Sequence, residues 1–233
     1  SLACEFCATG ALNLDRNLTA AEIYDQVFIL NEEALANFGK PLSNIVFMGM
    51  GEPLLNYSAL LDSINLITTE QGLGMSPKRL TVSTVGIAKM IKKLADDKVK
   101  FNLAISLHTA SNSKRDILIP LNQKIKLEEL REAVQYFYEK TGNRVTYEYI
   151  LFKDINDNLE EAQKLVHFTK VSPCKINLIE YNPVDDLPYE KSSNKVTENF
   201  IKYLEEKKLI VNLRKSKGKD IAAACGQLAN KLK

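Results

Sequence analysis

The sequence predicts an α/β fold built from repeated βα units around a parallel sheet. Short β-branched or aromatic runs alternate with longer helical stretches along the whole chain. The runs are almost continuously apolar, as strands covered on both faces are. A helical stretch separates each strand from the next, which implies right-handed crossovers and either a barrel or a doubly wound sheet. At 233 residues the chain falls within the size of one such domain.

The first helix begins at Thr19-Ala20-Ala21-Glu22, a capping box in which hydroxyl and carboxylate satisfy free amides, and Ile23, Val27 and Leu30 recur at helical spacing. Asn44 to Gly49 is the first predicted strand, followed by Arg79 to Thr84, Phe101 to Leu107, Val145 to Phe152, Lys175 to Ile179 and Leu209 to Leu213. Helices are expected over Ser58 to Thr68, Ile87 to Leu94, Leu127 to Tyr138, Leu159 to Thr169 and Val196 to Glu206. A loop at Asn182 to Pro188 divides a core of residues 1–183 from a C-terminal extension, 184–233, of the same domain.

Composition is that of an ordinary globular chain, 45% hydrophobic and 26% charged, and no apolar run is long enough to cross a membrane. A start without Met suggests an excised piece, so N-terminal targeting is not read from it. Four cysteines do not look like a disulfide framework; a reduced, cytoplasmic protein using thiols for metal or catalysis is expected. Net charge is only +2, yet Lys202 to Lys233 holds nine basic residues against three acidic ones. Such an end suits a polyanion such as RNA, with a merely solvated face as the plainer alternative.

Chemistry-bearing residues gather at expected strand ends, where βα barrels place their sites. Cys4 and Cys7, two residues apart, can grip one soft metal centre, zinc or iron–sulfur. Gly51 and Glu52 follow the first strand, and the carboxylate could hold an amine. Ser83, Ser106, Leu107, His108 and Asn182 fall on the same rim, where the serines and the asparagine could hold hydroxyl and carboxylate groups. Each also has a structural reading as turn, cap or buried histidine. Cys225 lies among small residues, beside Gly226 and after the basic run Arg214 to Lys219, which is expected to lower its pKa. Cys174 reads as a buried structural thiol.

These residues resemble a known family. Ser1 to Cys7 resembles the tail of the Cys-x3-Cys-x2-Cys motif of radical SAM enzymes. Met48 to Asn56, Ser106-Leu107-His108, Asn177 to Pro183 and Ala224 to Leu228 together resemble the RlmN/Cfr family of dual-specificity RNA methyltransferases. The resemblance covers the whole chain. It implies a partial (βα)6 TIM-like barrel of the radical SAM type, short of its first strand, with a first cluster cysteine, an accessory domain and a second catalytic cysteine lying upstream.

The resemblance also implies cofactors and roles. Cys4 and Cys7 would be two ligands of a [4Fe–4S] cluster, and Gly51, Glu52, Ser83, Ser106, Leu107, His108 and Asn182 would bind S-adenosylmethionine. Cys225 would carry a methyl group to C2 of an adenine in 23S ribosomal RNA or transfer RNA, through a transient protein–RNA link resolved by a disulfide. An electron donor such as flavodoxin or ferredoxin would serve a monomeric enzyme, inactive in this truncated form. Rivals are C8 methylation as in Cfr, another radical SAM reaction, and a zinc-stabilised RNA-binding module using Cys4, Cys7, Cys174 and Cys225.

Overall fold

The structure, a computed structural model, describes residues 2–184, 187–216 and 224–227. Six strands lie side by side in chain order: β1 (Ile45–Phe47), β2 (Leu80–Thr84), β3 (Asn102–Ser106), β4 (Val145–Leu151), β5 (Cys174–Glu180) and β6 (Ile210–Arg214). Every neighbouring pair is parallel, and β4 and β5 match over seven residues, from Val145 opposite Cys174 to Leu151 opposite Glu180. Among the described residues β1 and β6 do not pair, so the sheet is open. It is strongly curved all the same: Arg214 at the end of β6 reaches Met48, just past β1, with Nη1 3.7 Å from Sδ. The expected partial barrel is therefore an open, six-stranded parallel sheet.

The helices are α1 (Ala20–Phe38), α2 (Tyr57–Thr68), α3 (Ala88–Asp96), α4 (Asn112–Leu118), α5 (Leu127–Thr141), α6 (Leu159–Phe168) and α7 (Asn194–Glu206). None is long and apolar enough to cross a membrane. The capping box forms as the sequence demands. Glu22 N donates to Thr19 Oγ1 at 3.2 Å, and Thr19 N donates to Glu22 Oε2 at 2.9 Å. Gly39 closes the same helix at φ +65°, a left-handed turn that suits glycine.

Period-two alternation sorts the strand side chains. Leu80, Val82, Leu103, Ile105, Tyr147, Tyr149, Ile176 and Leu178 turn toward the helices, where Ile64, Ile91, Leu130, Phe137, Leu165 and Phe200 complete one core. Truncating a fully buried leucine there, such as Leu103, costs about 2–5 kcal/mol. The alternate residues face the concave side, and the sheet's polar chemistry lies there. A second, smaller core of Phe6, Val85, Leu118, Ile119, Ile150, Phe152, Ile179 and Tyr181 caps the C-terminal strand ends, with Cys4 and Cys7 packed against it. Beyond Pro183 the chain returns through α7 to add β6 to the same sheet.

Candidate active site

The Cys4–Cys7 loop is fastened from several sides. Cys7 N donates to Cys4 O at 3.2 Å, Gly10 N to Cys7 O at 2.8 Å, and Glu5 N to Leu118 O at 3.2 Å. A Cβ on Gly10 would lie 2.3 Å from Cys4 O, so only glycine fits there. Phe6 points down into the small core. Its ring lies 4.9 Å from that of His108, edge to face, and 5.4 Å from that of Phe152.

His108 holds this arrangement from beneath. It sits at φ +58°, its Nδ1 accepts a hydrogen bond from Ile150 N at 3.1 Å, and its carbonyl accepts from Asn156 Nδ2 at 2.6 Å. Burial, reinforced by the Arg115 charge, pushes its pKa down to about 3, so the ring is a neutral prop.

Both loop thiols are free. Burial and then the neighbouring Cys7 push the Cys4 thiol up to about 12. Cys4 therefore resists ionising until a cation replaces its proton, as a thiolate-bound metal does. The chemistry of the donors, two soft sulfurs in a tight loop, fits an iron–sulfur or zinc centre. Among the described residues no group of three or more His, Cys, Asp or Glu converges, so the loop offers part of a ligand set. Cys174 is buried at the start of β5, the opposite end of the sheet from the loop, so the four cysteines do not gather as a zinc module requires.

The strand ends bring the other expected residues to the same rim. Gly51 adopts φ +99°, which turns the chain after β1 and delivers Glu52 inward. Glu52 is buried and pinned: Oε1 accepts from Leu54 N at 3.0 Å and Oε2 from Val85 N at 2.8 Å. Burial raises its pKa while those amides oppose the rise. Thr84 also hydrogen-bonds the carboxylate, which still keeps a lone pair for an outside donor. Ser83 Oγ and Ser106 Oγ face each other at 3.5 Å, a contact long enough to leave both hydroxyls available. Leu107 N and His108 N share the carbonyl of Glu148, at 3.0 and 3.3 Å. Asn182 is buried, and among the described residues its Oδ1 has no hydrogen-bond partner, a costly state that a bound ligand would relieve.

Cys225 joins this rim through backbone bonds. Ala8 N donates to Gly226 O at 2.9 Å, and Asn182 Nδ2 donates to Cys225 O at 3.1 Å. Gly226 takes φ +83°, and a Cβ there would lie 3.6 Å from Phe6 O. The expectation that basic neighbours lower the thiol's pKa is overturned. Crowding by protein atoms, then Cys7 and Glu148, pushes it up to about 11, while Arg214 opposes the rise. Cys225 still keeps an accessible face. That face, rather than the density of atoms behind it, decides whether a substrate reaches the sulfur.

Two features were absent from the sequence reading. A polar ladder crosses the concave side: Asn212 Nδ2 donates to Asn177 Oδ1 at 3.3 Å, Asn177 Nδ2 to Glu148 Oε1 at 2.8 Å, and Arg214 Nη1 to Glu148 Oε2 at 3.2 Å. The other is Arg115 on α4, whose guanidinium is fully buried. The only available sequence signal for the ladder was strand alternation, which turns Glu148 and Asn177 to the side opposite Tyr147 and Leu178. Of the basic end, Lys202, Lys207, Lys208 and Lys215 are exposed, whereas Lys217, Lys219, Lys231 and Lys233 lie outside the described residues.

Comparison with known proteins agrees with this geometry. The model of the radical SAM superfamily matches residues 1–166. A protein of Christiangramia forsetii called "Probable dual-specificity RNA methyltransferase RlmN" is 55% identical over 231 residues, which are 99% of this chain and 66% of that protein. One of the same name from Salinibacter ruber is 50% identical, over 99% of this chain and 63% of its own length. The crystal structure of a radical SAM methyltransferase from Sphaerobacter thermophilus superposes with a TM-score of 0.94 at 38% identity, covering 97% of this chain and 66% of that one. The chain thus spans about two thirds of the length of these relatives. On a matched family model, on this level of identity and on a shared fold, the chain belongs to the radical SAM superfamily and, within it, to the RlmN family.

Proposed function

We propose that the chain is the core of an RNA methyltransferase that passes a methyl group through Cys225 to C2 of an adenine. The observation carrying this reading is the seat of Cys225: an accessible thiol held against the Cys4–Cys7 loop by the 2.9 Å bond from Ala8 N to Gly226 O. Cys4 and Cys7 would hold two irons of a [4Fe–4S] cluster, which with S-adenosylmethionine supplies methyl and radical chemistry when bound.

The chain's own part is placement and shielding. Glu52, fixed by two backbone amides, would accept from an ammonium group, with Gly51 giving that ligand close access to the backbone. Ser83 and Ser106 would meet hydroxyl groups on the concave side, and the bare Oδ1 of Asn182 would accept from a ligand donor. Leu107 is buried in the main core, and His108 acts through the loop it supports. Small neighbours around Cys225 leave room for both a cofactor and a base at one sulfur. The base must leave its stack to arrive there, so folded RNA with an extruded adenine is the expected substrate, 23S ribosomal RNA first and transfer RNA second. A small electron-transfer protein such as flavodoxin or ferredoxin would supply the electron.

The test uses the full-length protein, purified without oxygen and given 23S RNA. Cys225→Ala is expected to abolish formation of 2-methyladenine while leaving iron content unchanged. Undiminished methylation by that variant overturns the role of Cys225, and 8-methyladenine from the unaltered protein overturns the assignment to C2.

A further inference from the structure

Arg115 is a buried cation that pairs with no carboxylate among the described residues. It is 1% exposed, and all its hydrogen bonds go to neutral oxygens. Nε donates to Leu107 O at 3.2 Å, Nη1 to Asn122 Oδ1 at 3.0 Å, and Nη2 to Val85 O at 2.6 Å and Ser106 O at 3.3 Å. Among the described residues no carboxylate forms an ion pair with it. Asp116, next in the chain, is turned to Lys126, with Nζ 2.9 Å from Oδ2, and to Asn122, with Nδ2 2.6 Å from Oδ1. A buried charge without an opposite charge beside it is costly to keep, and a counter-charge bound from outside the protein would offset that cost.

The place of that counter-charge is on the page. Cys4 packs against the small core that includes Val85, Leu118 and Ile119, and Leu118 O, one turn along α4 from Arg115, accepts the amide of Glu5. Arg115 holds Val85 by its carbonyl, so the guanidinium lies under the floor of the cysteine loop. Thiolate-bound iron–sulfur centres are net anionic and gain a further negative charge on reduction.

We infer that Arg115 is the fixed counter-charge of the metal centre on Cys4 and Cys7, and that it raises the reduction potential of that centre. The inference rests on the reading of Cys4 and Cys7 as cluster ligands. Arg115 touches no reacting atom and is a positioning residue, acting through the electrostatic potential at the loop.

The experiment is a redox titration of the full-length, cluster-loaded protein, followed by the electron paramagnetic resonance of the reduced centre. Arg115→Gln removes the charge and Arg115→Lys keeps it. The glutamine variant is expected to lose at least tenfold in the equilibrium constant for one-electron reduction, a shift of about 59 mV to more negative potential. The lysine variant is expected to stay within about threefold of the unaltered protein. A glutamine variant that fails to retain iron while the lysine variant retains it also supports the inference. Equal potentials in all three proteins overturn it, and so does loss of iron from both variants, since lysine keeps the charge. Absence of iron from the unaltered protein overturns instead the reading of the loop beneath it.

Discussion

Ala8 and Gly226 are joined by a backbone hydrogen bond of 2.9 Å, from the amide of one to the carbonyl of the other. The bond ties the residue after Cys7 to the residue after Cys225, so the two ends of the described chain share one rim. Asn182 reinforces it from the end of β5 by donating to Cys225 O. The Cys4–Cys7 loop and the Cys225 thiol are thereby held together by main-chain geometry, independent of either sulfur's protonation.

Gly10→Ala tests the loop. The new methyl would lie 2.3 Å from Cys4 O, and backbone atoms cannot yield as a flexible side chain can. The full-length variant is expected to retain less than half the iron of the unaltered protein, with helix content by circular dichroism unchanged. Full iron occupancy would show that the loop tolerates the shift.

Glu52→Gln tests the pinned carboxylate. A side-chain amide can accept from only one of Leu54 N and Val85 N, leaving the other buried donor bare at a cost of about 1–3 kcal/mol in urea unfolding. Loss of the negative charge is expected to weaken S-adenosylmethionine binding by at least about tenfold, measured by calorimetry. Unchanged affinity would remove Glu52 from the cofactor site.

His108 gives the protein a pH dependence of definite sign. Its folded pKa, about 3, is below the ordinary value of 6.5, so the unfolded chain binds the proton first as pH falls. Its contribution is complete above pH 6.5 and is lost at about 1.4 kcal/mol per pH unit from there toward pH 3. Between pH 7 and pH 5 this group alone removes about 2 kcal/mol. His108→Asn keeps an acceptor for Ile150 N, tolerates φ +58°, and should flatten that slope in paired urea melts.

Lys202, Lys207, Lys208 and Lys215 are exposed along α7 and past β6. If they contact RNA phosphates, changing all four to Ala lowers the slope of log affinity against log salt by about 3. An unchanged slope would make this face a solvated surface and nothing more.

Much of this was legible before any coordinates. Capping at Thr19 and Glu22, the six strand runs and the clustering of Gly51, Glu52, Ser83, Ser106 and Asn182 on one rim depend on local pattern and on the habit of parallel sheets. Helix α4 was not legible. Asn112 to Leu118 is short and lacks apolar periodicity, and it forms because Arg115 and Leu118 find tertiary partners. The pKa of Cys225 departs from the sequence reading for a related reason: its local neighbours are basic, but burial raises it first, and Cys7 and Glu148, remote in sequence, add to the rise. His108 stands on the expected rim, yet only the fold shows its ring facing Phe6 from below.

The most direct test of the account is where the methyl group rests before it reaches RNA. Full-length protein, loaded with its cluster and given S-adenosylmethionine with an isotopically labelled methyl group but no RNA, should carry one labelled methyl on the peptide containing Cys225. Label on a different residue, or protein that methylates RNA without ever holding label at Cys225, would contradict it.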